Sequence, residues 1–168
     1  MSGTSRIGSG IDVHAFAPER DRSDIVLAGV RIPSDAPLAG HSDADVVAHA
    51  VIDALLGAAG LGDIGSRFGV DDPELAGADS MRMLATVVDE VASAGWRTVN
   101  VDVTVVAARP RVAPHRGAMR AALAAALGVD VDAASVKATT TDGLGSIGRG
   151  DGVAAWAVVL LEGAAAGE

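Results

Sequence analysis

The 168-residue chain contains no cysteine, which excludes a disulfide framework, a thiolate metal site, a thiol nucleophile and an iron–sulfur cluster. Aromatic residues are scarce, with two Phe, two Trp and no Tyr. Basic residues number 13 against 22 acidic ones, for a formal net charge of −9, and that balance argues against a nucleic-acid-binding face. No uncharged apolar run approaches the length of about 18 residues that a membrane span requires. The opening Met1-Ser2-Gly3-Thr4-Ser5-Arg6 lacks the basic-then-apolar pattern of a secretory leader. A single cytoplasmic domain with its core over about residues 6–161 is therefore expected.

Small residues dominate what is present: 34 Ala and 21 Gly. With few large side chains to fill a core, elements must approach closely, or the chain must bury more surface by oligomerising. The one lysine is Lys137, and the four histidines are His14, His41, His49 and His115.

Alternation from Arg6 to Ala17, with Ile7, Ile11 and Val13 on one side of the pleat, predicts a strand. Ile25–Leu27 and Val30–Ile32 predict a hairpin around Gly29. A helix is predicted from an N-cap at Ser42 or Asp43, with Asp45 in its first turn, as far as Ala59. The stretch Gly60 to Pro73, rich in Gly and Asp, is expected to be a long loop. A second helix over Ala78–Ala94 takes Asp79 or Ser80 as its cap and stops at Gly95. Val99, Val101, Val103 and Val105 alternate in a strand over Thr98–Ala108, and a third helix covers Pro114–Leu127. Val136–Thr141 and the apolar run Val153–Leu161 read as strands on either side of a glycine-rich stretch. Strands and helices interleave without repeat or linker, so one α/β or α+β domain is expected.

Asp12 and His14 lie two apart on a predicted strand and share a face, where a carboxylate and an imidazole suit zinc. His49 sits inside an apolar helix, where a polar ring without a partner is costly. Asp45 and Asp53 flank it by one turn on the same helix face. A third ligand from His49, oriented by a neighbouring Asp, would leave a fourth zinc position open, the pattern of a catalytic site. A solvent-facing Asp-His-Asp stripe is the alternative. Ser42 and Asp45 resemble a capping box, which leaves His41 as a phosphate contact beside a cation. Gly60–Gly65 and Gly143–Gly148 both spell G-x-G-x-x-G, but the first follows a helix and the second precedes a strand, so dinucleotide binding is excluded. Thr139-Thr140-Thr141-Asp142 ends a strand before a glycine loop, and strand propensity alone accounts for the threonines. Lys137, Arg149 and Arg109-Pro110-Arg111 are the candidate cations for an anionic ligand in this acidic chain.

Gly10-Ile11-Asp12-Val13-His14-Ala15-Phe16, His41-Ser42-Asp43-Ala44-Asp45 with His49, Asp63-Ile64-Gly65, Lys137-Ala138-Thr139-Thr140-Thr141 and Gly148-Arg149-Gly150 occur in that order. The ordered set resembles the 2-C-methyl-D-erythritol 2,4-cyclodiphosphate synthases, the cyclising enzymes of the non-mevalonate isoprenoid pathway. The resemblance runs from about Arg6 to Leu161. It implies an α+β fold, a mixed sheet with helices packed on one face, assembled as a threefold homotrimer with active sites between subunits. The implied substrate is 4-diphosphocytidyl-2-C-methyl-D-erythritol 2-phosphate, and the products are the cyclic diphosphate and CMP. One Zn²⁺ per subunit falls on Asp12, His14 and His49, and the transition-state contacts fall on His41 and Thr140. A second divalent ion, Mg²⁺ or Mn²⁺ on the diphosphate, has Asp142 as its candidate protein contact.

The same resemblance places substrate contacts on Asp12, His14, His41 and Ser42, on Asp63, Ile64 and Gly65, and on Phe68 with Asp71 or Asp72. It places others on Ala107, Ala108, Arg109, Pro110, Arg111, Val112 and Ala113, then on Thr139, Thr140, Thr141 and Asp142, with Arg149 beyond. The chain departs from the pattern of many members at Phe68-Gly69-Val70-Asp71-Asp72-Pro73, at Asp142 where Glu is frequent, and at Ser9 and Ser146. Two rival readings are a zinc hydrolase using Asp45 or Asp53 as base, and a trimeric module that binds nucleotides or isoprenoid diphosphates.

Overall fold

The structure, a computed structural model, describes residues 4–18, 24–40, 42–69 and 78–163. In chain order its elements are β1 (Ser5–Ala15), β2 (Asp24–Leu27), β3 (Val30–Pro33), α1 (Val46–Ala59), α2 (Ile64–Phe68), α3 (Ser80–Ser93), β4 (Trp96–Ala107), α4 (Arg116–Leu127), β5 (Ala134–Thr139), α5 (Gly145–Gly148) and β6 (Gly152–Gly163). Four strands make one sheet in the order β1-β6-β4-β5, and β2 with β3 make a separate hairpin. The sheet is mixed: β6 runs antiparallel to both β1 and β4, whereas β5 is parallel to β4. This is the α+β arrangement that the resemblance implies.

Strand alternation sorts the two faces of the sheet. Val101, Val103, Val105 and Ala107 of β4, and Val153, Ala155, Ala157, Val159 and Leu161 of β6, are buried on one side. Helix α1 covers that side over β1 and β6, while α3 and α4 cover it over β4 and β5. Leu55, Leu56, Leu84, Met119, Leu123 and Leu161 supply the largest fully buried side chains of the core between these layers. The opposite face exposes Ile7, Ile11, Val13, Trp156 and Val158, with Ile7 74% exposed. Ile11 stands directly across from Trp156 in the β1–β6 ladder.

The contact between α1 and β1 explains part of the glycine content. A Cβ at Gly8 would fall 1.9 Å from the Ala54 carbonyl oxygen, and one at Gly10 would fall 2.1 Å from that of Ala50. Both positions face a helix backbone at a distance that excludes any side chain. Helix α1 is buried along most of its length, with mostly Val, Ala, Ile and Leu touching the core.

Several boundaries differ from the sequence reading for identifiable reasons. Asp45, expected within the first turn, is the N-cap of α1, and its carboxylate accepts the N–H groups of Val47 and Ala48. The same carboxylate accepts from Ala28 at 2.8 Å and Gly29 at 2.7 Å, so the hairpin turn selects the cap. The expected loop after Gly60 contains α2, closed by a capping box between Asp63 and Ser66. The strand expected to end at Thr141 ends at Thr139, because the Thr140 hydroxyl accepts the Asp142 N–H at 3.2 Å and starts a turn. Asp142 adopts φ 49° there. The glycine-rich stretch that follows holds α5.

Candidate functional site

β1 and α1 bring Asp12, His14 and His49 together with their ligating atoms within 4.8 Å of one another. The pleat aligns Asp12 with His14, and the close β1–α1 contact lowers His49 onto them. One carboxylate oxygen, Asp12 Oδ2, lies 3.0 Å from His14 Nε2 and 2.9 Å from His49 Nδ1. The two rings are tilted by 49° at a centroid separation of 5.5 Å.

The far nitrogens of both rings are engaged by the protein. His14 Nδ1 hydrogen-bonds the Ala39 carbonyl oxygen, an acceptor that requires the proton to sit on Nδ1. A Cβ at Gly40 would lie 2.9 Å from the His14 ring, so glycine leaves this ring its place. His49 Nε2 lies 2.9 Å from Ser80 Oγ and 3.3 Å from Ser42 Oγ. The near nitrogens, His14 Nε2 and His49 Nδ1, converge on one Asp12 oxygen at hydrogen-bond distance, so the space between the three groups is filled by protons or by a cation that replaces them. Burial alone would raise the Asp12 carboxyl, but hydrogen bonds and charge from His14 and His49 outweigh it and hold it well below the usual range. The bond to Asp12 raises the His14 imidazole. The donor set of two imidazoles and one carboxylate suits a transition-series cation such as zinc.

The neighbouring carboxylates do other work than the sequence suggested. Asp45 does not orient His49: it is fully buried, bonded to four backbone N–H groups, and burial pushes its carboxyl up. Asp53, also raised by burial, accepts the Ile64 N–H at 2.8 Å and so ties α1 to the start of α2. The side chains that His49 Nε2 meets are instead Ser80, which the sequence marks only as a helix cap, and Ser42. Asp79 holds that cap, and the Ser80 hydroxyl is turned toward His49. Among the described residues, Asp45 and Ser80 are the buried polar side chains.

A second feature lies at the same end of the sheet, on the opposite edge. His14 is in register with Val153, which is in register with Ala107; Val106 is in register with Thr139. Ala107, Ala108, Pro110, Arg111, Val112, Ala113, Ala138, Thr139 and Thr140 line a cleft of about 160 Å³. Two of the sequence-predicted substrate segments therefore meet in one place. Three inter-strand steps separate β1 from β5, about 14 Å, so triad and cleft stand apart within one chain.

The remaining predicted residues are distributed as follows. Arg109 is committed to structure, with its guanidinium on the Gly150 carbonyl oxygen at 3.0 Å, paired with Asp35 and stacked 4.3 Å over the Phe16 ring. Lys137 pairs with Asp102 at 2.5 Å, and Arg149 with Asp151 at 3.2 Å. Arg111 is exposed at the cleft. Asp63, Ile64 and Gly65 form the start of α2, and Phe68 its end, under the Arg67 guanidinium. Thr141 Oγ1 donates to the Leu144 carbonyl at 2.6 Å, and Thr140 Oγ1 donates to Asp142 at 3.1 Å. His41, Asp71 and Asp72 lie outside the described residues.

A family model described as the YgbB family matches residues 5–162. The chain is similar to the 2-C-methyl-D-erythritol 2,4-cyclodiphosphate synthase of Moorella thermoacetica, 57% identical over 156 residues that make up 93% of this chain and 94% of the relative. Among solved structures it is similar to the bifunctional IspDF of Campylobacter jejuni, with TM-score 0.90 and 41% identity. That match covers 96% of this chain and 43% of the bifunctional one. It is also similar to the IspF of Plasmodium falciparum in complex with CDP, with TM-score 0.83, 29% identity and coverage of 98% and 99% of the two chains.

Proposed function

The chain belongs to the YgbB family, and from that membership and the converging triad we propose that it converts 4-diphosphocytidyl-2-C-methyl-D-erythritol 2-phosphate to the 2,4-cyclodiphosphate and CMP. The observation that carries the reading is the single Asp12 oxygen within 3.0 Å of one ring nitrogen of His14 and one of His49. An oxygen of the 2-phosphate attacks the β-phosphorus, the bond from that phosphorus to the α–β bridging oxygen breaks, and the electron pair leaves with CMP. No water is consumed. Positioning and charge neutralisation are the main tasks of such a phosphoryl transfer.

Asp12, His14 and His49 would hold zinc with a fourth position open, and Asp142 would contact magnesium or manganese, an ion that commonly takes one or two carboxylates plus substrate phosphates. When bound, these ions supply Lewis acidity and charge neutralisation to the phosphates. The chain's own residues do the rest. The cleft of Ala107, Ala108, Pro110, Val112, Ala113 and Thr139 takes the flat cytosine ring, in keeping with the CDP complex of the Plasmodium relative. Arg111 meets phosphate charge at its rim, while Arg109 keeps the cleft wall in place through Gly150 and Phe16. Thr140 and His41 donate to charge that develops on the phosphates, and Ser42, Asp63 to Gly65, Phe68, Asp71 or Asp72, Thr141 and Arg149 bind substrate around them.

A homotrimer completes this reading. Triad and cleft at opposite edges of one sheet require a neighbouring chain if one substrate is to span both. The exposed apolar face of Ile7, Ile11, Val13, Trp156 and Val158 gives that neighbour a surface to cover. Sedimentation is expected to report three 16.7 kDa chains per particle, and a stable monomer that retains activity would remove the shared site. No helix among the described residues is long and apolar enough to cross a membrane, in keeping with a cytoplasmic reaction.

Phosphorus NMR of the products tests the chemistry. The cyclic diphosphate and CMP are expected, with no solvent oxygen incorporated. Open-chain phosphates carrying solvent oxygen would establish a hydrolase instead. Metal analysis is expected to find one zinc per chain, and His49→Ala to lose it; zinc content unchanged by His49→Ala would refute the ligand assignment.

A further inference from the structure

Ser80 is the first residue of α3 and is fully buried, with its N-cap role already taken by Asp79. A buried hydroxyl at such a position costs stability unless its hydrogen bonds are made. Ser80 Oγ lies 2.5 Å from Asp43 Oδ1 and 2.9 Å from His49 Nε2. Asp43 is fixed in turn, since its Oδ2 accepts the Ser80 N–H at 3.3 Å and its own N–H donates to the Ala78 carbonyl at 3.1 Å.

The distances rank the partners of the Ser80 proton: Asp43 Oδ1 at 2.5 Å is nearer than Ser42 Oγ at 3.4 Å. An ionised carboxylate only accepts, and a hydroxyl has one proton. The Ser80 proton goes to Asp43 in a short, charge-assisted bond, which leaves Ser80 Oγ as an acceptor toward His49. Ser80 Oγ thus draws the His49 proton to Nε2, in competition with Asp12 Oδ2, which lies 2.9 Å from Nδ1; a cation bound at Nδ1 takes the place of that competing proton.

We propose that Ser80 is a positioning residue that, braced by Asp43, holds the His49 ring through Nε2 and shifts it toward the Nε2–H tautomer, thereby preparing Nδ1 as a metal ligand. A carboxylate that acts on a ligand histidine through an intervening hydroxyl does what a direct carboxylate–histidine contact does at many metal sites. The relay also joins two parts of the fold. Asp43 precedes α1 and bonds Ser80, which opens α3 and contacts the one triad member that α1 carries. The proposal rests on the metal reading of Asp12, His14 and His49.

Two measurements on the full-length protein test it, and only one needs metal. Nitrogen-15 NMR of the metal-free protein, with imidazole neutral, is expected to show a larger Nε2–H share of His49 in the wild type than in Ser80→Ala, where Asp12 draws the proton to Nδ1. Chelator competition for zinc is expected to show affinity about 10–100-fold weaker in Ser80→Ala, with a smaller loss in Asp43→Asn, which keeps the shape but removes the charge. A wild-type protein that binds no zinc would sink the metal reading, while the tautomer measurement would still judge Ser80. An unaltered His49 tautomer together with unaltered zinc affinity in Ser80→Ala would overturn the proposal.

Discussion

Gly10→Ala is expected to remove about 3 kcal/mol or more of folding stability, a large share of the roughly 5–15 kcal/mol typical of a domain. The added methyl would stand 2.1 Å from the Ala50 carbonyl oxygen and 2.8 Å from the Ala54 nitrogen. Both are backbone atoms of a buried helix, so no side chain can swing aside. Ordinary contact begins near 3.4 Å, so α1 would have to retreat by about 1 Å or more along a core it fills. The same movement would carry His49 away from Asp12, so zinc affinity is expected to fall with stability. Gly57→Ala and Gly117→Ala are the controls, because a Cβ at either position meets nothing within 4 Å. Both lie within helices, α1 and α4, where alanine is favoured over glycine, and a gain of about 0.5–1 kcal/mol each is expected. Urea titration reads all three. A Gly10→Ala protein as stable as the wild type would mean that β1 and α1 do not pack this closely.

That contact also marks how far residue patterns carry. Asp12 and His14 were legible as a pair because strand periodicity alone puts them on one face, and His49 stood out as a polar ring in an apolar helix. The valine alternation of β4 was legible for the same reason. The cap of α1 was not, since Ser42, Asp43 and Asp45 are all good capping residues and the choice depends on Ala28 and Gly29 from a hairpin far back in the chain. Helix α2 was hidden by its surroundings. Five residues, one of them Gly65, carry too little periodicity to be read, and only the Asp63–Ser66 spacing signals the helix. The Asp43–Ser80–His49 relay had no local signature at all, because it forms only when the starts of two helices come together.

Arg109 shows the converse. In the sequence it is one of a few cations near a glycine loop, equal in promise to Arg111. In the fold its guanidinium spans the Gly150 carbonyl, Asp35 and the Phe16 ring, whereas Arg111 lies exposed on the cleft. Charge identifies candidates for anion binding, and tertiary partners decide which of them remain available.

Thr140→Val is expected to lower kcat by about 10²–10³, the effect of removing a preorganised donor whose stabilisation is confined to the transition state. KM and zinc content are expected to change little, the pattern of an interaction made mainly in the transition state. Valine keeps the β-branch and nearly the same volume, so strand β5, whose last rung is Thr139 opposite Val106, should remain paired. Without substrate the hydroxyl donates to Asp142 Oδ1 at 3.1 Å and accepts the Asp142 N–H at 3.2 Å. Valine removes both bonds and so loosens the turn as well as removing the donor. Thr140→Ser separates these effects, because it restores the hydroxyl with its turn contacts while giving up the β-branch. If donation to the phosphates is what matters, serine recovers most of kcat and valine does not. A raised KM at unchanged kcat would assign Thr140 to ground-state binding. Kinetics unchanged in the valine variant would leave strand propensity as the whole account of the threonine run.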